Sequence, residues 1–284
     1  MSVAKSNALK FSAALALLIA FGSAEAEVLR VHSTPALGQI LPALTPALRQ
    51  AGIEVKVAGE GGSSAAIQSL AADETDVALT VRALTGEDRA IAPDKSFVEF
   101  QLGAQAVAVI VARDVWESGV RALSREQLRQ IYERQATNWK QVGGADRAIK
   151  FYNFERGRGV WELFAWWVYG EVRKAPLGNF EIVVTGEDAH NTVEFHGGSV
   201  VLAAPRWADA KVAFALALKD GAGEAVELRM ENLVNRKYPL ARPVYVIFGT
   251  KPTGTRLRFL DILQSAEGQE LLRKNDLIPL SELK

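Results

Sequence analysis

The chain has no cysteine, only three histidines and two methionines, and no net formal charge. Each shortage excludes something. Without cysteine there is no disulfide, no thiolate metal site and no thiol for a lipid anchor. His32, His190 and His196 do not fall at a zinc-ligand spacing. The 33 basic residues are matched by 33 acidic ones, so neither a nucleic-acid surface nor a polybasic membrane surface is indicated. No Walker or dinucleotide glycine pattern is present. Beyond the N-terminal stretch, no apolar run is long enough to span a bilayer, and no internal repeat or low-complexity tract is visible.

The N-terminus itself reads as a leader. Lys5 and Lys10 form a basic region beside Phe11 to Phe21, FSAALALLIAF, which is too short for a membrane span. Ala24-Glu25-Ala26 is a small-x-small cleavage site. The expectation is a signal peptide over residues 1–26, cut after Ala26, with an uncleaved N-terminal anchor as the alternative. An exported, cysteine-free chain fits the bacterial periplasm. Losing Lys5, Lys10 and Glu25 leaves 31 basic and 32 acidic residues, about −1.

From Glu27 onward the chain alternates strands and helices. Glu27 to His32 alternates as a strand, and Thr34 with Pro35 is a good helix start. Leu37, Ile40, Leu41, Leu44 and Leu48 mark one helical face ending at Gly52. Ile53 to Ala58 is a second strand. Gly59 to Ser64 is a flexible turn into another helix, and Asp76 to Val81 is a short buried strand. This strand–helix alternation predicts α/β architecture with mostly parallel sheets. Phe97 to Val111 holds two strand segments around Gly103. Ser124 and Gln127 form a capping box, Ala148 to Phe154 is a strand, and Trp161 to Tyr169 is an aromatic helix. Strands are expected at Glu181 to Thr185, Ser199 to Ala203 and Pro243 to Phe248, and a helix at Thr255 to Lys274. One sheet rarely absorbs so many units. Two lobes with a hinge between them fit better: residues 27–104 and 205–284 form the first, and residues 105–204 the second.

Three glycine- or hydroxyl-rich turns open helices: Ser33-Thr34-Pro35, Gly61-Gly62-Ser63-Ser64 and Arg156-Gly157-Arg158-Gly159. A helix start offers free backbone N–H groups to an anion. Three converging on one cleft suggest a protein that holds a small ligand and does not transform it. Enzyme signatures are weak. Gly61-Gly62-Ser63-Ser64-Ala65 misses the G-x-S-x-G elbow at its last glycine, and His196-Gly197-Gly198-Ser199 only faintly matches an esterase loop. No catalytic residue, metal or cofactor is expected.

Six stretches, in order, carry a family resemblance. They are Ser33-Thr34-Pro35, Gly61 to Ser64, Asp76-Val77-Ala78 through Arg82-Ala83-Leu84, Leu123 to Trp139, Tyr238 to Pro243, and Ser265 through Leu280. The chain resembles the periplasmic phosphate-binding proteins of ABC transporters, which are type II periplasmic binding proteins. The resemblance implies a monomeric, two-lobe solute-binding protein that delivers phosphate or another small oxyanion to a permease. The second-lobe ligand turn diverges. The family pattern R-E-x-G-S-G-T is met by Phe154-Glu155-Arg156-Gly157-Arg158-Gly159-Val160, which keeps both glycines and loses the hydroxyls. Val81 stands where relatives place Ser or Asp. A divergent homologue without phosphate binding, acting as an envelope sensor or protein-interaction accessory, is therefore the alternative.

The register of the resemblance selects Ser33, Thr34, Ser63, Ser64, Arg82, Arg156, Gly157, Arg158 and Gly159 as ligand-binding candidates. Each also has an ordinary reading. The hydroxyls are good helix caps. Arg82 suits a structural ion pair. Arg156 and Arg158 either fork onto an anion or sit in solvent. The Trp161, Phe164, Trp166, Trp167 and Tyr169 cluster suits core packing better than a pocket wall.

Overall fold

The computed structural model describes residues 26–178 and 180–283. The expected leader lies outside the described residues, apart from Ala26. Among the described residues no helix is long and apolar enough to cross a membrane.

Two mixed sheets carry the molecule. The first runs, in spatial order, Ile278–Pro279, Val98–Ala106, Ala241–Phe248, Val77–Thr80, Glu27–Ser33 and Ile53–Glu60. Its last three strands are parallel neighbours, joined by helices Leu41–Gln50 and Ser63–Ala71. The other pairings are antiparallel. The second sheet runs Phe214–Ala215, Ala108–Val111, Ser199–Ala203, Lys150–Asn153 and Glu181–Ile182. Here two pairings are parallel and two antiparallel. The sheets are thus mixed and not mostly parallel, because the strands that cross between lobes insert antiparallel to the strand–helix–strand units.

The second lobe also reaches further along the chain than residue 204. Phe214 pairs with Val111, and Ala217 and Leu218 pair with Ala122 and Leu123. The stretch expected to return to the first lobe at residue 205 instead completes the second, and re-enters the first sheet at Ala241. Its strands are two or three residues long, which gave periodicity nothing to register.

Two segments cross side by side. The Val107 N–H donates to the Leu240 carbonyl at 2.9 Å, and the buried Tyr238 hydroxyl donates to the Val107 carbonyl at 3.0 Å. The strand break falls at Val107, not at Gly103. Gly103 serves a different need: a Cβ there would lie 2.1 Å from the Ile278 carbonyl oxygen. Helices break where the chain offers caps. Helix Gly254–Gln264 ends at Ser265, whose hydroxyl accepts the Gly268 N–H at 3.0 Å and starts helix Ala266–Lys274. The Ser124–Gln127 capping box forms in both directions, at 3.1 and 2.9 Å.

Each lobe has its own core. Leu29, Val31, Leu44, Ile53, Leu79, Val246 and Phe259 pack in the first. Tyr132, Trp139, Phe151, Phe164, Val200 and Leu202 pack in the second. Trp161, Phe164 and Trp167 are buried, so most of the aromatic helix is core.

Candidate functional site: a cleft between the lobes

A cavity of about 440 Å³ opens between the lobes. The first lobe supplies Thr34, the Gly61–Ser64 turn, Val81, Arg82, Ala83 and the strand start Ala241–Pro243. The second supplies Glu162, Trp166 and Val172.

Two of the three expected helix openings meet here. Thr34 sits at the N-cap of helix Pro35–Gly38, yet its hydroxyl makes no cap hydrogen bond. The side chain is 2% exposed and Oγ1 has no partner. A capping residue with an unused hydroxyl inside a cavity is a donor held ready. In the second opening, Gly62 is the N-cap of helix Ser63–Ala71. The Ser63 hydroxyl is already engaged, accepting the Val81 N–H at 3.1 Å. Ser64 Oγ accepts from Arg82 Nη2 at 3.1 Å. Ser33 is fully buried at the strand end, does not line the cavity, and its Oγ has no partner.

Arg82 lines the cavity while its fork is spent elsewhere. Nη2 donates to Asp88 Oδ1 at 3.0 Å, and Nη1 donates to Asp88 Oδ2 and to the Ala83 carbonyl. The Arg82 hydrogen bond, helped by the Thr85 amide and hydroxyl, lowers the Asp88 carboxyl to about 2 despite its burial. The ion-pair reading of Arg82 is the one this geometry supports.

The third opening does not reach the cavity. Arg156, Gly157 and Arg158 are exposed. The Arg156 guanidinium lies 4.7 Å from the Trp161 ring and Arg158 lies 5.9 Å from the Phe154 ring. Phe154, at the family's arginine position, is buried in the second lobe. Gly157 has φ of +88°, which explains why glycine survives in the turn. Gly159 is buried against the first lobe. A Cβ on it would lie 2.6 Å from Gln105 Nε2 and 3.1 Å from both Ala36 Cα and Cβ. Its role is close approach of the lobes, and this turn contributes no side chain to the cavity.

Four residues outside the ligand-binding candidates shape the site: Arg242, Glu162 and Gln105, which were not singled out, and Trp166, which was expected in the core. Arg242 Nε donates to Gln105 Oε1 at 3.0 Å, and its Nη2 lies 3.8 Å from Glu162 Oε2 across the lobes. Nη2 is buried and makes no hydrogen bond. Burial pushes the Arg242 pKa down to about 10, with Glu162 opposing, and burial pushes the Glu162 carboxyl up, with Arg242 opposing. Signals for three of them existed. Glu162 is a lone acid in an apolar helix, Gln105 a lone polar side chain in the stretch LGAQAVAVIV, and Arg242 sits inside a recognised motif. Trp166 had none, because only its 46% exposure separates it from its buried neighbours. Among the described residues no group of three or more His, Asp or Glu could hold a metal.

Known proteins share this plan. A family model described as a PBP superfamily domain matches residues 22–267. The phosphate-binding protein PstS of Staphylococcus haemolyticus (strain JCSC1435) is 24% identical over 196 residues, which are 66% of this chain and 60% of that protein. The match thus spans about three fifths of that relative's length. A crystal structure described as a possible phosphate binding protein from Planctomyces limnophilus DSM 3776 superposes with a TM-score of 0.79 at 20% identity, covering 91% of this chain and 95% of that one. An ABC-type phosphate transport receptor from Vibrio cholerae gives 0.66 at 22% identity, covering 88% and 99%.

Proposed function

The chain belongs to the PBP superfamily, and from that premise we propose that it is an exported solute-binding protein for a small oxyanion, phosphate or a chemical relative, which it carries to a membrane permease. One observation carries the reading: Thr34 and Arg242 line the same interlobe cavity, and each has a buried donor that makes no hydrogen bond, Thr34 Oγ1 and Arg242 Nη2, the latter facing only the Glu162 carboxylate at 3.8 Å. A buried donor left unpaired costs about 1–3 kcal/mol. The oxygens of an anion remove that cost at both atoms, and the amides opening helix Ser63–Ala71 favour the same charge. The names of the related proteins support phosphate as the reference ligand. The hydrogen-bonded crossings at Val107 and Leu240 are the natural pivot for opening and release. Export rests on the sequence of residues 1–26. The protein acts as a monomer that binds and releases; no catalytic step is assigned to it.

The test is thermal unfolding of solute-stripped protein with phosphate, sulfate and chloride at matched ionic strength. Ligand at about a hundred times its Kd adds roughly 2.7 kcal/mol, and a rise with an oxyanion but not with chloride is expected. Equal melting in all three salts ends this reading.

The exposed Arg156-Gly157-Arg158 turn, outside the cavity, favours a second reading in which a protein partner in the envelope is engaged there. Crosslinking from position 158 in intact cells tests it, and a crosslinking pattern identical to that from an unrelated surface position removes it.

A further inference from the structure

The cleft, open between the lobes, has more room than a bare tetrahedral anion fills, and its two walls differ in character. Its 440 Å³ would hold about fifteen waters at ~30 Å³ each, and lies in the range of pockets that take whole organic molecules. A four-oxygen anion has the bulk of only a few of those waters. The donors that make no hydrogen bond, Thr34 Oγ1 and Arg242 Nη2, both belong to the first lobe. Ser63 and Ser64, on the same wall, accept from the Val81 N–H and from Arg82 and keep their hydroxyl protons to donate, while the Arg82 fork is held by Asp88.

The facing wall is of opposite character. It presents Trp166 and Val172, with Glu162 beside them. Trp166 is 46% exposed, while Trp161 and Trp167 on the same helix are 2% and 7% exposed. An indole left half-uncovered beside a cavity is apolar surface still available for burial. Ligand oxygens pressed against it would lose water without gaining partners. The Glu162 carboxylate adds repulsion to any further ionised oxygen on that side.

We propose, building on the binding role above, that the preferred ligand is an oxyanion carrying a compact apolar substituent, of the organophosphonate class. The headgroup meets Thr34 and Arg242 on the first lobe. The substituent lies on Trp166 and Val172 of the second and is enclosed as the lobes close. This division explains why the second lobe can dispense with the hydroxyls of its turn: it recognises the substituent.

The experiment is titration calorimetry on the exported protein, stripped of co-purified solute, with inorganic phosphate, methylphosphonate and phenylphosphonate at one ionic strength. Phenylphosphonate is expected to bind at least about tenfold tighter than phosphate, as burial of a ring against an indole predicts, with a more negative heat-capacity change. Trp166→Ala, on a half-exposed side chain, should weaken phenylphosphonate about tenfold and leave phosphate within about twofold; Trp166→Phe should restore most of the loss. Unchanged circular-dichroism melting shows that the variants are folded. Phosphate binding as tightly as phenylphosphonate, or Trp166→Ala weakening both equally, overturns the substituent proposal and leaves oxyanion binding standing. Binding of none of the three overturns both.

Discussion

The two lobes open helices with similar glycine turns and use them differently. In the first, the Thr34 and Gly61–Ser64 turns line the cleft, and one hydroxyl is held there without a partner. In the second, Arg156 and Arg158 stack outward over Trp161 and Phe154, and only Gly159 faces the other lobe, as a spacer. A glycine turn before a helix is therefore a backbone device, and what it does depends on where the strand before it ends. The charge that the second-lobe turn does not bring to the cleft comes from Arg242, which sits on a strand of the first sheet and opposes Gln105 across the ladder.

The comparison breaks most directly at Arg242. Arg242→Gln removes the buried cation and leaves Glu162 facing the cleft without its partner. Losing one member of such a pair costs about 2–5 kcal/mol in binding, so oxyanion affinity should fall by at least about thirtyfold in calorimetry. Retained affinity would move the anion site to the amides of the Gly61–Ser64 turn alone. Gly159 comes next. Gly159→Ala places a methyl group against Gln105 and the Ala36 backbone, and overpacking of this kind costs about 1–3 kcal/mol. The lobes should relieve it by separating, seen as a larger radius of gyration in X-ray scattering and as weaker binding. An unchanged radius with unchanged affinity would show that the interface yields locally.

The contrast between lobes also marks what the sequence could say. Long amphipathic or alternating elements were legible: Glu27–Ser33, Ile53–Glu60, Ser63–Ala71 and the capped helix Arg125–Tyr132 all form where period and caps place them. The short strands after residue 204 were not, since strands of two or three residues hold too little period to read and owe their existence to neighbours distant in sequence. Thr34, chosen because a capping residue before proline also falls in a family turn, lines the cavity. Arg156 and Arg158 are exposed and off the cavity wall, since sequence shows a charge and not its direction. The Arg242–Glu162 pair depends on two positions 80 residues apart meeting across the cleft, which no local pattern encodes.

Two smaller effects sharpen the comparison inside the first lobe. The Asp88 carboxyl titrates at about 2 in the folded chain, below its ordinary value of 3.8. A depressed folded pKa stabilises the fold above the unfolded value, and that contribution is lost as pH falls through the folded one. Denaturant melts should therefore show on the order of 1–2 kcal/mol lost between about pH 4 and pH 2, with Asp88→Asn abolishing this part of the slope. A slope unaltered by the substitution would place the titrating group elsewhere. Thr34→Val keeps shape and removes only the hydroxyl. One hydrogen bond to a charged ligand is worth about 1.5–3 kcal/mol, so affinity should fall about tenfold or more with little change in melting temperature. An unaffected affinity would mean that Oγ1 faces water in the complex.

The smallest expected effect is the most telling about the second lobe. Arg156→Ala and Arg158→Ala together remove two cations from the turn that the family resemblance assigns to the ligand. Both side chains are exposed, lie over aromatic rings and stand outside the cavity. Surface changes of this sort usually stay within about 0.5 kcal/mol, with an exposed cation–π contact adding about 0.5–1 kcal/mol at most. Anion affinity should stay within about threefold, and only its dependence on salt should flatten slightly, because two exposed positive charges attract an anion at long range without touching it. A hundredfold loss in calorimetry would mean that this turn swings inward when ligand binds. The two lobes would then grip the anion alike.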